Sequence, residues 1–457
     1  MQIRRKGTMG VIAICGSVLL ATAACSSGGS ASTANKEATS QSEAVKSPAA
    51  QDPPAEIKQP VELTIYTDTS ANGLGFDATY DGFMDALGKH VQKKYPNISF
   101  KLLFRAGAGA VENLVAAKTP FDIRIGAAGM LFNNEDLKIA TDMTAAAKKY
   151  KFDLTRLQPL SLDWVYTNSN QKLAALPITL DKSVLYYNKD LFDKFGVSYP
   201  KDDMTWDETA QLSRRLTRTD SGDSYYGFNS DTAWSNNFLR NQLSQSYLDA
   251  KTHQATYGNG VWKQIFDTFL PFYETDGSAK YLLTGAYVDK FVKDQRLAMM
   301  KGDTDAYVQF PDTLKWDVVS LPKFKELPNV NEGGGYLYMS VSTLGAHPDE
   351  AFLAISALLS DEAQTSLSRN GKYPVLTSQQ IQNQFGADVA QLKGKNVKGM
   401  LTGTFAPPIL LDPYTLAVLG DLNTAFSEAA NKTKDVNTAL RDAAEVSNKK
   451  VAAMLAK

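Results

Sequence analysis

Asp181 is the residue in this chain whose type fits least with its neighbours. It stands within the stretch Leu176-Pro-Ile-Thr-Leu-Asp-Lys-Ser-Val-Leu-Tyr-Tyr-Asn-Lys-Asp-Leu-Phe192. The β-branched and aromatic content and the lack of glycine suit a largely buried extended segment. Pro177 removes a donor at its entry, where an edge or crossing strand tolerates the loss. A carboxylate here has two readings: a loop end facing water, or a buried acid facing a polar ligand. Trp234 stands in the polar stretch Asp231-Thr-Ala-Trp-Ser-Asn-Asn237, without an obvious core role, and an exposed ring of this kind is what stacking requires. The Gly333-Gly-Gly335 run permits close backbone approach to a ligand or neighbour.

Covalent and metal chemistry have less to work with. The only cysteines, Cys15 and Cys25, lie near the N-terminus, so the rest of the chain has no thiol for disulfides, thiolate metal sites or nucleophiles. His90, His253 and His347 are scattered and show no HxH or HxxxH spacing, so no metal site is expected, and no cofactor. Asp and Glu are plentiful, yet no pair forms a recognisable motif for two-carboxylate hydrolysis. Tyr186-Tyr187 invites a metal-chelate or oxyanion reading, but adjacent strand residues point to opposite faces.

The elements that must position these residues alternate strand and helix. Val61–Thr67 reads as a strand, 82–95 as a helix ended by Pro96-Asn97, and Ile98–Phe104 as the next strand. A helix near 111–118 and a strand at Asp122–Ile125 follow, an order that implies parallel pairing. Ligands in such sheets sit beyond the carboxyl ends of the strands, at 68–73, 105–107 and 126–129. Further on, Asp190 is placed to cap a short helix. Thr205 with Glu208 forms a capping box for another. Tyr336 and Tyr338 alternate about Leu337, so at most one of them faces a ligand.

Composition excludes some partners. The 457 residues carry a formal charge of −1, which favours neither nucleic acid nor an anionic surface. Arg4-Arg5-Lys6 and the apolar 9–24 stretch read as an export signal, too short to span a bilayer. Small residues before Cys25 look like a bacterial lipoprotein signal with Cys25 acylated, although Thr22 stands where a large aliphatic is usual. Ala21-Thr-Ala23 also satisfies ordinary cleavage, which would leave the protein secreted or periplasmic. Residues 26–60, nearly free of large apolar side chains, read as a disordered tether reaching roughly 30 Å.

"ALPITLDKSVLYYNKDLFDKFGV" followed by "MTWDETAQLSRRL" resembles the extracellular solute-binding proteins of the maltose-binding type. Phe291–Gly302, the helical stretch 347–364 and Asn370–Val375 resemble further elements of that family, in the expected order, from about Val61 to the C-terminus. The resemblance implies an α/β, two-lobed periplasmic-binding-protein fold (type II), its lobes joined by several hinge crossings: at the opening stretch, at Trp316–Pro322 and at 370–375. The implied division is signal 1–25, tether 26–60, lobe 1 at 61–177 and 323–372, lobe 2 at 178–322 and 373–415, and C-terminal helices at 416–457.

By motif position the ligand contacts would be Asp68, Thr69, Asn72, Asp122, Asp181, Trp234, Asn236, Tyr307, Gly335 and Tyr336. Asp122 has a structural alternative as a cap for backbone amides, and Asp68 and Asn72 have one as turn formers. Gly126-Ala-Ala-Gly-Met130 departs from the family, since it can neither stack nor ion-pair, so maltodextrin is not assumed to be the ligand. The function implied is capture of a carbohydrate or related polar solute, without catalysis. A monomer would deliver it to an ABC importer permease from the outer face of a bacterial membrane, anchored through Cys25. A secreted glycosidase and a metal-chelate or oxyanion receptor are the alternatives.

Overall fold

The computed structural model describes residues 56–67, 79–104, 110–127, 129–230, 234–273, 287–333 and 335–456. Asp68, Thr69 and Asn72 lie outside them, as do the side chains of Trp234, Asn236 and Tyr336, and the Cys25 signal and the tether as far as residue 55. None of the described helices is long and apolar enough to cross a membrane.

The described strands are β1 (Val61–Thr67), β2 (Ile98–Phe104), β3 (Ile123–Gly126), β4 (Leu176–Asp181), β5 (Ser183–Asn188), β6 (Arg218–Asp220) and β7 (Asp223–Ser230). β8 (Leu297–Asp303), β9 (Trp316–Ser320), β10 (Val330–Asn331), β11 (Gly335–Val341), β12 (Tyr373–Pro374) and β13 (Thr404–Phe405) follow. They form a six-stranded sheet in the order β12-β4-β11-β3-β1-β2 and a five-stranded sheet in the order β6-β7-β8-β5-β9, with a small β10-β13 pair besides. β1, β2 and β3 pair in parallel, as their alternation with helices requires, whereas β11 enters antiparallel between β3 and β4. Each sheet is the core of one lobe.

Strand composition explains this burial. Every residue of β5 is buried: Tyr186 packs against Phe310 and Trp316, and Tyr187 against Phe192 and Tyr199. The two tyrosines therefore point to opposite faces of the second sheet, and both are core residues.

The crossings differ in detail from the expected positions. The chain leaves the first sheet at Asp181 and enters the second at Ser183, so the switch falls at Lys182 and not between 177 and 178. Trp316–Ser320 is a strand within the second sheet, and the chain returns to the first only at Gly335, by way of β10. Tyr373-Pro374 still pairs with β4, which puts the third passage after it, before the helix Val397–Leu401 that packs on β9. The terminal helices Thr415–Ala430 and Val436–Leu455 pack on one another and on helices 234–239 and 261–269 of the second lobe.

Candidate solute site at the lobe crossings

Asp181 ends β4 and sits opposite Gly335, the first residue of β11. A Cβ on Gly335 would lie 3.4 Å from the Asp181 Cβ and 3.6 Å from the Arg240 guanidinium, so acid and base flank the same bare stretch of backbone. The Asp181 carboxylate is half-buried and has no hydrogen-bond partner among the described residues. Burial, reinforced by Asp305 and Asp303, pushes its pKa well above the usual carboxylate range, and Lys372 and Arg240 offset this only in part.

Its neighbours, by contrast, are occupied. Arg240 donates to both carboxylate oxygens of Asp303, at 2.8 and 3.1 Å, and to the Gly333 carbonyl at 3.1 Å. The Gly333 amide in turn donates to the Arg240 carbonyl at 2.9 Å, a reciprocal clamp on the glycine turn. Burial works against the Arg240 charge, but Asp303 and Glu332 outweigh it and raise the guanidinium pKa. Lys372 of the first lobe donates to Asp305 of the second at 2.9 Å.

Beneath this layer runs a fully buried polar chain. Glu332 accepts from Ser183 at 2.8 Å and pairs with Lys301 at 3.0 Å. Lys301 donates to Asn237 at 2.6 Å, and the Asn331 amide donates to the Ser183 carbonyl at 3.0 Å. Buried charges of this kind persist only when paired and hydrogen-bonded, and here they fix where β5, β8 and the second crossing meet.

The other proposed contacts are distributed as follows. Asp122 is buried and fully engaged with backbone: one oxygen accepts from the Thr64 amide at 2.8 Å, the other from the Ala346 and His347 amides at 3.0 and 3.2 Å. It holds β1 and the chain after β11 together and has no free oxygen for a solute. Arg124, buried on the same strand, donates to Asn134 at 2.6 Å.

Tyr307 is likewise turned inward. The short 3-10 turn Ala306–Gln309 lays its ring parallel to Trp316, with centroids 6.1 Å apart, and the side chain is 2% exposed. It is thus part of the core, not a stacking platform. Its hydroxyl lies against Gly371, where a Cβ would meet it at 2.3 Å. Burial pushes that phenol up to about 12. Gly335 and Asp181 are opposite one another; Tyr336 is opposite Leu180 and Tyr338 is buried. Trp234 opens the helix Trp234–Leu239, which delivers Asn237 and, just beyond it, Arg240.

Arg240, Asp303, Asp305 and Lys372 were not singled out by sequence. Asp303 and Asp305 stand in the exit loop after β8, whose position was a usable signal. Arg240 gave none, because its partner is 63 residues away. The capping box at Thr205 is formed as read, but the next helix upstream is capped by Asn188, whose side chain accepts from the Asp190 amide at 3.0 Å. Among the described residues no group of three or more His, Cys, Asp or Glu is arranged to hold a metal.

Comparison with known proteins places this architecture. Residues 76–365, more than half of the chain, match the bacterial extracellular solute-binding proteins, and the chain belongs to that family. A mannitol-binding protein of Pseudomonas aeruginosa is 29% identical over 103 residues, which span 21% of this chain and 23% of that protein. The fold is also that of a substrate-binding protein from Listeria monocytogenes in complex with cycloalternan, with a TM-score of 0.66 and 18% identity over 86% of this chain and 100% of that one. A sugar transporter from Rhizobium etli in an open conformation gives 0.64 and 18% over 85% and 99%.

Proposed function

We propose that this protein captures a carbohydrate, an oligosaccharide or a related polyol, between its two lobes and presents it to the permease of an ABC importer. The observation that carries the reading is Asp181: a half-buried carboxyl without a hydrogen-bond partner among the described residues, at the point where the chain passes from one lobe to the other. A sugar hydroxyl supplies the donor such a group lacks, and a buried polar group left unmade costs about 1–3 kcal/mol. The mannitol, cycloalternan and sugar named for the related proteins support the same ligand class. The basic and apolar leader ending at Cys25 supports attachment to the outer face of a cell membrane through a lipidated cysteine, with the tether holding the lobes clear of it.

A thermal-shift screen over alditols, monosaccharides, oligosaccharides and uronic acids tests this directly, because a ligand that binds only the folded form raises the melting temperature. A rise with at least one carbohydrate is expected. The raised acid beside Asp303 and Asp305 also resembles what a glycosidase needs to protonate a leaving group. Turnover of an aryl glycoside without any shift would favour that reading over transport.

A further inference from the structure

Lys182 is the single residue between β4 and β5, and it is 2% exposed. Its ammonium donates to the carbonyls of Leu401, Thr402 and Gly403 at 2.8, 3.4 and 2.5 Å. Those carbonyls form the turn between the helix 397–401, packed on the second lobe, and β13. The ammonium also lies 4.9 Å from the Tyr373 ring centroid in β12 and 5.2 Å from that of Phe405 in β13. β13 pairs with β10 on the second crossing, and the Lys182 carbonyl accepts from the Thr304 amide just past β8. The first and third connections between lobes thus meet at one side chain, and the second is joined to it through the β10–β13 pair.

None of its partners among the described residues is a carboxylate. The titratable groups on the surrounding elements are Asp181 next to it, Tyr373, Lys372 and Lys398, with Asp303 and Asp305 flanking Thr304 and Glu332 against Ser183. Tyr373 is pushed up to about 12 by burial, and Lys372 is paired with Asp305. None of these hydrogen-bonds the Lys182 nitrogen. What holds it is charge on carbonyl dipoles and on ring faces, and both attractions depend on the proton.

We propose that Lys182 is the positioning residue of the hinge: as an ammonium it ties the first crossing to the third, and so fixes the relative placement of the lobes and the direction of Asp181. The inference goes beyond solute capture and does not depend on which solute is bound. Burial lowers the Lys182 pKa to about 8, so the tether is released in a range where surface lysines stay charged. The sign for stability is opposite. The unfolded chain holds this proton more tightly than the folded one, so the cost of burying the charge fades as pH rises from about 8 toward the ordinary 10.5. A side chain that merely filled space would move neither quantity with pH.

The test uses the full chain with Cys15 and Cys25 replaced by serine and spin labels at K101C and R214C, exposed positions on the two lobes. Inter-lobe distances are read by double electron–electron resonance at pH 6.5 and 9.5. The parent should give a narrow distribution at pH 6.5 and a broad one at 9.5, and K182R a narrow one at both. K182M should be broad at both while melting no lower than the parent at pH 6.5. A narrow, pH-independent distribution in the parent, or a parent-like narrow one in folded K182M, overturns the proposal. If circular dichroism shows K182M unfolded, the parent and K182R still decide the matter.

Discussion

Two aspartates from the same sequence reading sit in opposite surroundings, and the difference is whether backbone amides of the described residues reach them. Asp122 accepts three and is structural. Its replacement in D122A leaves three amides short of an acceptor and should lower unfolding free energy by about 3 kcal/mol or more in urea titrations. Asp181 accepts none among the described residues. Asp181→Asn should weaken binding of any sugar found in the screen by about tenfold, as one mismatched hydrogen bond at a buried polar group implies, measured by titration calorimetry. Stability should move the other way. Because the folded state raises the Asp181 pKa, it holds the proton more tightly than the unfolded chain, and a cost of ionisation appears as pH rises above the ordinary carboxylate range. D181N should therefore melt higher than the parent at pH 7, and the gap should close toward pH 4.

Between elements, the contact of Gly371 with Tyr307 brings a first-lobe turn against the second-lobe core. Gly371 has φ +78°, which side chains with a Cβ rarely adopt, and its missing Cβ is the space the phenol occupies. Gly371→Ala should cost about 2 kcal/mol or more by denaturant midpoint, and the cost should fall in a Y307F background, where the backbone strain and a 3.3 Å approach to the Val389 methyl remain. This packing also shows where sequence reading reached its limit. Strand character and the Thr205 capping box were legible because they are set within a few residues. The inward turn of Tyr307 was not, because its partner Trp316 is chosen by how the loop after β8 folds back. β4 was legible as a strand, but nothing local revealed that β11 would pair beside it, or that the lobes change at Lys182. The Arg240–Asp303 clamp was invisible for the same reason: charge pairing at long range leaves no periodicity.

As a whole, the molecule is two α/β lobes linked by a few crossings, with occupied ion pairs around Asp181, an acid that has no partner among the described residues. Such a layout lets a solute act as the missing partner between lobes, and only differential affinity for the closed form can drive closure. The Lys372–Asp305 pair spans the lobes but is partly exposed, so K372M should change the melting temperature little and show its effect, if the lobes move, in the salt dependence of binding. Small-angle X-ray scattering of the protein with and without a carbohydrate from the thermal screen tests the central claim most directly. A smaller radius of gyration with the sugar, lost in D181N at the same sugar concentration, is the predicted result; an unchanged scattering curve at saturating sugar would contradict it.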